Sequence, residues 1–353
     1  MAAALETVNI IQSSLKNEAD KHHGPEFFVQ SLLASHQKLF EDVVFDEARW
    51  DRHRNSWYRY RIEPSIALRV AYGFMWQILL VILASVLVGL YHMYLVPLGL
   101  PPSSSSFNNV FIILTFALSL LLVFKTNSSF ARWWEGRIIW GQIVNFARNY
   151  ARMMLQWSAP DKGHVAKAAV RWAAAAPHVL RGYIRQMKDE ACKEAAHILL
   201  PVEIEYLSKW VNMPGGVASM LSLLISELEL EPQQQTFLED QVSLYVNMAG
   251  ACERIYRTPI PAAYTRHTSR FLMIFLVSAP ILMWQSALWA TPVIMAIVAF
   301  LLLGTENIGV QIEEPFRVLP LGAICKTIEN NLFEMEKQLI AVKQARLNTS
   351  VPQ

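Results

Sequence analysis

Residues 111–142 read FIILTFALSLLLVFKTNSSFARWWEGRIIWGQ, and this stretch decides the fold. Its first part, up to Phe124, is uncharged and almost entirely apolar, which is typical of a membrane-spanning helix. The polar residues 125–129 follow, and they lead into helices rich in arginine. The sequence therefore predicts that a membrane segment passes here into a water-facing helical region.

Working outward, two long segments contain no Asp, Glu, Lys or Arg: residues 70–124 and residues 271–305. A membrane helix needs about 20 predominantly apolar residues, so each segment has room for two. The loop PLGLPPSSSS at 97–106 divides the first segment, because proline, glycine and serine favour turns. We therefore predict four membrane helices, at roughly Val70–Leu95, Phe107–Phe124, Phe271–Leu288 and Pro292–Gln311.

The overall composition excludes several classes of protein. Charged residues make up 17% of the chain and apolar residues 53%, with a formal net charge of +2. These values argue against a disordered chain, a purely soluble enzyme and a disulfide-rich secreted scaffold, and they favour the lipid bilayer rather than nucleic acid as partner. Cys192, Cys252 and Cys325 lie far apart, so we expect buried thiols and no metal or redox framework.

The positive charges are asymmetric. Arginines and lysines cluster before the first predicted span, after the second and before the third, whereas neither connecting loop contains one. The positive-inside rule then places both termini and the middle region on the cytoplasmic side, or its organellar equivalent. Residues 1–20 lack the apolar core of a secretory signal, so we expect no such signal there.

The remaining residues predict helices and no strands. Helical spacing recurs at Val217–Glu229, Phe237–Arg257 and Ala323–Arg346. The predicted fold class is all-α, with four membrane helices on a large, one-sided helical base. We divide the chain into 1–68, an N-terminal cytosolic segment; 69–125, the first two membrane helices; 126–269, the cytosolic helical region; 270–312, the last two membrane helices; and 313–353, a C-terminal helical segment.

Catalytic chemistry has no support in the sequence. The nine histidines are scattered, and the common hydrolase, zinc-protease and nucleotide-binding spacings are missing. Glu313 and Glu314 could ligate a cation, although a role at a helix end is the simpler interpretation. We therefore expect neither an enzyme nor a metal site.

Phe116, Leu120 and Phe124 lie four residues apart, so they share one face of the second predicted span. Such side chains usually face lipid or a neighbouring helix. If several subunits turned this face toward a common axis, it would form a narrow apolar constriction that gates ions by dewetting. The positive edges of the aromatic rings would then favour anions, and Lys125 and Arg132 at the mouth would attract them.

Three sequence blocks resemble the bestrophin anion channels. The first is Arg132-Trp133-Trp134-Glu135-Gly136-Arg137, followed by Trp140-Gly141 and Asn145; the second is Ile260-Pro261 with Tyr264-Thr265-Arg266; the third is Ile308–Phe316, which includes Glu313, Pro315 and Phe316. They occur in the family's order, and the resemblance covers roughly residues 45–345. Within the family, the chain looks most like the bestrophin-like proteins of plant and algal thylakoids.

The resemblance implies a homopentamer with one central pore, whose neck would consist of Phe116, Leu120 and Phe124. It also implies passage of chloride, with bicarbonate and other monovalent inorganic anions as further candidates, a bound anion in the pore, and a plastid thylakoid membrane with both termini in the stroma. The family's second constriction cannot be assigned to a position in this sequence.

One departure from the animal members concerns calcium. Their acidic run, which wraps a calcium ion, is replaced here by Arg317–Gly322, with no carboxylate before Glu329. Gln311 and Glu314 remain, but a hard cation needs more oxygen ligands. We therefore expect no calcium clasp of the animal type.

The leading hypothesis is thus a passive anion-selective channel. The alternative is a non-conducting membrane scaffold whose helical base binds a partner protein. A coupled transporter is disfavoured, because the uncharged segments carry no ionisable group at mid-membrane.

Overall fold

The computed structural model describes residues 47–55, 73–102, 108–185 and 188–349. Within these ranges the chain is helical and contains no strand, as the sequence predicts. The α-helices are α1 (Glu47–Arg54), α2 (Met75–Leu90), α3 (Asn108–Trp157), α4 (Gly163–Ile184), α5 (Lys188–Ala195), α6 (Pro201–Ser208), α7 (Met213–Glu227), α8 (Pro232–Arg257), α9 (Ala262–Ala287), α10 (Thr291–Glu313), α11 (Pro315–Val318) and α12 (Leu321–Thr349).

Within the described part of the chain, three helical stretches are long and apolar enough to cross a membrane: Met75–Leu95, Asn109–Trp157 and Ala262–Glu313. The third is built from α9 and α10, which a short 3-10 turn at Leu288–Ala290 separates. The predicted end of the first span, Leu95, agrees with the structure, whereas α9 begins at Ala262, nine residues before the predicted start of the third span. Val70, Phe107 and the serines of the first loop lie outside the described residues.

Helix α3 is continuous over 50 residues, from Asn108 to Trp157. At 1.5 Å per residue it is about 75 Å long, more than twice the roughly 30 Å of a bilayer core. The polar residues 125–129 do not interrupt it, because they include neither glycine nor proline. One rigid element therefore crosses the predicted boundary at residue 125 and joins the membrane part to the base; α9 likewise passes through residue 269.

The membrane helices share a small apolar core. Its fully buried members include Val81 of α2, Leu276 of α9 and Ala299 of α10, and Leu118 of α3 is 2% exposed. On the loop side, the rings of His92 and Trp284 stack, with their centroids 5.8 Å apart. Many other large apolar side chains of these helices remain exposed on the subunit, as expected for surfaces that face lipid or neighbouring subunits.

Several hydroxyl groups in the spans are satisfied within their own helices. Each donates a hydrogen bond to the carbonyl four residues earlier, so its proton is paired at membrane depth without a partner from another helix. The hydroxyl groups are those of Ser85, Thr115, Ser119, Thr126, Ser278 and Thr305.

The base has a larger core, built around helix α4. This helix is buried on nearly every side, and its run Ala173–Ala176 is fully inaccessible. The small alanine side chains let neighbouring helices approach closely, while large rings from α3 and α8 fill the remaining space. The buried hydroxyl of Tyr150 donates to Leu221 O at 2.9 Å, and that of Tyr245 donates to Ala176 O at 3.2 Å.

Candidate functional site: helix α3 and the membrane–base junction

The three residues of the predicted neck are uncovered on the subunit. Phe116 is 71% exposed, Leu120 43% and Phe124 54%, and their spacing places them on one face of α3. Buried neighbours such as Leu118 and Leu122 turn toward the membrane core instead. The face is therefore available to other subunits or to a central axis, and it stands outside the core of its own subunit.

This exposed face continues along the whole of α3. Exposed residues recur at intervals of three or four from Phe116 to Gln156, the spacing of one side of a helix. We name this set the α3 stripe: Phe116, Leu120, Phe124, Asn127, Ala131, Trp134, Ile138, Gln142, Asn145, Asn149, Arg152 and Gln156. It is apolar up to Phe124 and again at Ala131, Trp134 and Ile138, and from Gln142 onward it carries amides and one charged residue, Arg152.

Lys125 lies at the point where the predicted neck ends, but its side chain does not join the stripe. It is 1% exposed, and its Nζ donates to Glu306 Oε1 of α10 at 2.5 Å. Ser269 Oγ of α9 donates to the same oxygen at 2.8 Å. Lys125 thus joins α3 to α9 and α10 within the subunit, and its predicted attraction of anions stays a prediction that this geometry does not favour.

Arg132 is likewise held within the subunit. Its guanidinium donates to Ile255 O at 2.5 Å, to Thr258 O at 2.8 Å and to Glu313 O at 3.1 Å. These carbonyls lie at the carboxyl ends of α8 and α10, where the helix dipole favours a positive charge. Arg132 therefore positions three helices relative to one another.

The three sequence blocks meet at this junction. Besides Arg132 and Glu313 O, the Ile260 N–H donates to Glu313 Oε1 at 2.8 Å, which links the second block to the third. Pro315 packs against Gly136, where an added Cβ would lie 2.9 Å from Pro315 Cγ. The three blocks, which are distant in sequence, thus form a single joint between the membrane helices and the base.

The other residues of the first and third blocks have separate environments. Glu135 accepts a hydrogen bond from Arg254 Nη2 at 2.6 Å, and Phe316 is fully buried in the base core. Trp133 packs against that core, whereas Trp134 is 53% exposed on the α3 stripe. Arg137 is exposed.

Glu314 and Gln311 are the two candidate calcium ligands that remain. Glu314 Oε1 accepts from Arg317 Nε at 3.1 Å, and Gln311 is exposed. The carboxylate of Glu313 is committed to the Ile260 amide.

Sequence reasoning missed two features that carry signals in the sequence. Lys125 and Glu306 are the first charged residues after the two uncharged segments, and their opposite signs indicate a pair. The α3 stripe follows from continuing the spacing of Phe116, Leu120 and Phe124 beyond residue 125. The polar residues 125–129 conceal this continuation, because they resemble the end of a membrane face.

Comparison with known sequences gives consistent matches. The family described as Bacterial/Fungal Bestrophin protein matches residues 49–334. A voltage-dependent anion channel-forming protein of Nostoc sp. is 32% identical over 270 residues, which cover 72% of this chain and 83% of that protein. Voltage-dependent chloride channel 1, chloroplastic, of Arabidopsis thaliana is 31% identical over 223 residues, covering 63% of this chain and 54% of that protein.

Solved structures show the same fold. A bacterial bestrophin homolog from Klebsiella pneumoniae superposes with a TM-score of 0.68 at 21% identity, covering 75% of this chain and 98% of that chain. A variant of that homolog, in which one tryptophan is replaced by alanine, gives a TM-score of 0.69, with 76% of this chain and 98% of that chain covered.

Proposed function

The chain belongs to the bestrophin family, and from this premise we propose that it is a passive anion-selective channel, a homopentamer with four membrane helices per subunit. Chloride is the first candidate ion, with bicarbonate and other monovalent anions as further candidates. The relatives named as anion and chloride channels support this activity. The observation that carries the proposal within this chain is the α3 stripe, which no part of the described subunit covers.

The composition of the stripe suits an anion path. In a ring of subunits, Phe116, Leu120 and Phe124 would form an apolar neck narrow enough to control wetting. Below it, the amides of Gln142, Asn145 and Asn149 and the guanidinium of Arg152 offer N–H donors, while the stripe carries no carboxylate. The amide N–H groups can stabilise a partly dehydrated anion; their oxygens could also contact a cation, so the preference for anions rests on the charge of Arg152 and on the lack of carboxylates in the stripe.

We propose that the side chain of Arg152, rather than that of Lys125 or Arg132, attracts anions. Lys125 is neutralised by Glu306, and the guanidinium of Arg132 is bonded to three carbonyls. Arg152 is exposed on the stripe, so its charge acts on ions that enter from the base.

The proposal extends to location and ions. The chloroplastic relatives of Arabidopsis support a plastid membrane, with the thylakoid as the proposed site, and the charge asymmetry supports stromal termini. We propose no animal-type calcium clasp, since the nearest carboxylates, Glu313 and Glu314, are engaged by Ile260 and Arg317.

The test is electrical. The purified protein is reconstituted in a planar bilayer, and reversal potentials are measured in asymmetric chloride and then bicarbonate solutions. We expect reversal potentials that follow the anion gradients. Currents that follow the cation gradient would refute an anion channel, and the absence of current in protein of native oligomeric state would favour the non-conducting scaffold.

The neck is tested by the double variant Phe116→Ala and Phe124→Ala. Removing both rings widens the constriction and makes it easier to wet, so single-channel conductance should rise several-fold or anion selectivity should fall. The matched control is Leu83→Ala with Leu87→Ala, which truncates two exposed apolar side chains of α2. Equal currents in the wild type and the neck variant would show that these residues do not line the path.

A further inference from the structure

A cluster of metal-ligating side chains lies inside the base, away from the α3 stripe and the membrane–base junction. It joins His178 of α4, His197 of the turn between α5 and α6, and Glu329 of α12. Their potential ligand atoms all lie within 4.8 Å of one another. Three elements distant in sequence thus direct two imidazoles and one carboxylate to a common point.

The distances match a transition-metal site. His197 Nε2 lies 3.0 Å from Glu329 Oε2, and His178 Nε2 lies 3.5 Å from the same oxygen. Ligands about 2.0–2.1 Å from a tetrahedral zinc ion are separated from each other by about 3.3 Å. The two rings meet edge to face with centroids 5.5 Å apart, so a small movement of His197 closes the set.

The buried members point to a missing partner. The His178 side chain is 8% exposed and that of Glu329 7% exposed, and His178 Nε2 has no hydrogen-bond partner among the described residues. An unsatisfied buried nitrogen lowers stability, and here it faces a carboxylate oxygen rather than apolar atoms. A cation between these atoms would satisfy both.

The ion pairs around the cluster leave one oxygen of Glu329 facing the two imidazoles. Lys326 Nζ binds Oε1 at 2.6 Å and leaves Oε2 for the ion, while Arg181 nearby is paired with Glu194.

We propose that His178, His197 and Glu329 bind one divalent ion of the zinc class, which fastens the C-terminal helix α12 to the central helix α4. Imidazole ligands select zinc, nickel or copper over calcium and magnesium, which require oxygen ligands. Three protein ligands leave a fourth coordination position for water. The His197 side chain is 49% exposed, so solvent can reach this position. The site is independent of the conducting path.

The test uses the full-length protein in detergent, stripped with a chelator and then titrated with Zn²⁺ by calorimetry. His22 and His23 are replaced by alanine in every sample, which removes the adjacent histidine pair as a second source of binding. We expect one zinc ion per chain, a higher unfolding temperature with zinc, and no comparable effect of Ca²⁺ or Mg²⁺. Substituted Co²⁺ should give the visible absorption of a tetrahedral site.

The variants His197→Ala and Glu329→Gln should weaken zinc binding at least about tenfold. His197 is half-exposed, so its replacement leaves the core intact, and an unchanged unfolding temperature without zinc verifies this. His164→Ala, an exposed histidine of α4 outside the cluster, is the matched control and should bind as the parent does. The proposal is overturned by the absence of stoichiometric zinc, or by equal affinity in the His197→Ala and His164→Ala proteins.

Discussion

The ammonium of Lys125 is buried where the membrane helices enter the base, and Glu306 neutralises it across 181 positions of sequence. The pair lies at the end of the proposed neck, and it fixes the position and rotation of α3 against α9 and α10. Two turns further along α3, Arg132 ties the carboxyl ends of α8 and α10 to this helix. Lys125 and Arg132, which were expected from the sequence to attract anions, therefore fix helix α3 against its neighbours in the same subunit.

Removing one partner of the pair should strongly destabilise the fold. Lys125→Met leaves the Glu306 carboxylate buried without its counter-charge, and we expect a loss of about 3–5 kcal/mol in the free energy of unfolding. The double variant Lys125→Met with Glu306→Leu should recover most of the lost stability, because neither charge remains to be buried alone. Unfolding in mixed detergent micelles measures the differences.

The control for this pair is Lys209→Met. Lys209 and Glu205 form an ion pair at 2.9 Å whose side chains are 70% and 68% exposed, so its loss should have little effect on stability. If Lys125→Met lowered the free energy of unfolding as little as Lys209→Met does, the pair of Lys125 and Glu306 would not hold the helices together.

Among the elements, α3 has the most distinct roles. Its buried side packs on two separate cores, one in the membrane and one in the base, while the α3 stripe stays uncovered. Because a single helix spans both regions, its rotation in the membrane also sets which residues face outward in the base. The proposed neck and the amide-bearing surface are therefore held in register by one rigid backbone.

A carboxylate placed on the stripe should reduce anion flow. Gln142→Glu and Asn149→Asp keep the side-chain shape but add negative charge, so we expect lower chloride conductance and weaker anion selectivity, with the effect reduced at high salt. Arg152→Gln should act in the same direction. Single-channel recordings at low and high ionic strength measure these changes.

The matched control is Gln233→Glu, an exposed glutamine of α8 away from the stripe. It introduces the same charge without changing the proposed path, so the currents should stay at the wild-type level. An equal decrease in the Gln233→Glu protein would show that general surface charge, and not the stripe, governs conduction.

The contact between α4 and α5 is close enough to require glycine. A Cβ added at Gly182 would lie 2.4 Å from Ala191 Cβ and 2.5 Å from its Cα. We expect Gly182→Ala to destabilise the base by about 1–3 kcal/mol, because the backbone of α5 must move.

Gly250→Ala provides the comparison for Gly182. Gly250 also lies within a helix, α8, but an added Cβ would meet nothing within 4 Å. Its substitution should leave stability unchanged or raise it by about 0.5–1 kcal/mol. Chemical denaturation of both variants gives the comparison, and equal effects would contradict the close approach of α4 and α5.

At the scale of the whole molecule, a small membrane core stands on a large base core. The subunit leaves many apolar side chains of α2, α9 and α10 exposed, as lipid contact requires, and it leaves the α3 stripe exposed as well. The amides and the arginine in the lower half of the stripe do not suit lipid. The proposed ring of subunits around an aqueous axis would account for both halves.

The proposed assembly gives a direct prediction. Native mass spectrometry of the detergent-purified protein should show five copies of the chain, and particle images should show fivefold symmetry. The Phe116→Ala and Phe124→Ala variant should keep this state, which separates effects on the path from effects on assembly. A monomer or dimer with wild-type flux would exclude a central pore built from the stripe.

The sequence by itself determined the helices, the apolar segments, the family and the face of α3 that carries Phe116, Leu120 and Phe124, because charge depletion and 3.6-residue spacing are local properties of the chain. It placed the start of α9 nine residues too late and treated residues 125–129 as a boundary, since polarity alone does not end a helix. Tertiary structure decided the partners of Lys125 and Arg132 and the meeting of His178, His197 and Glu329. Those partners lie on different helices, and the side chains that a buried charge or a ring nitrogen meets depend on how the helices pack, which no local pattern specifies.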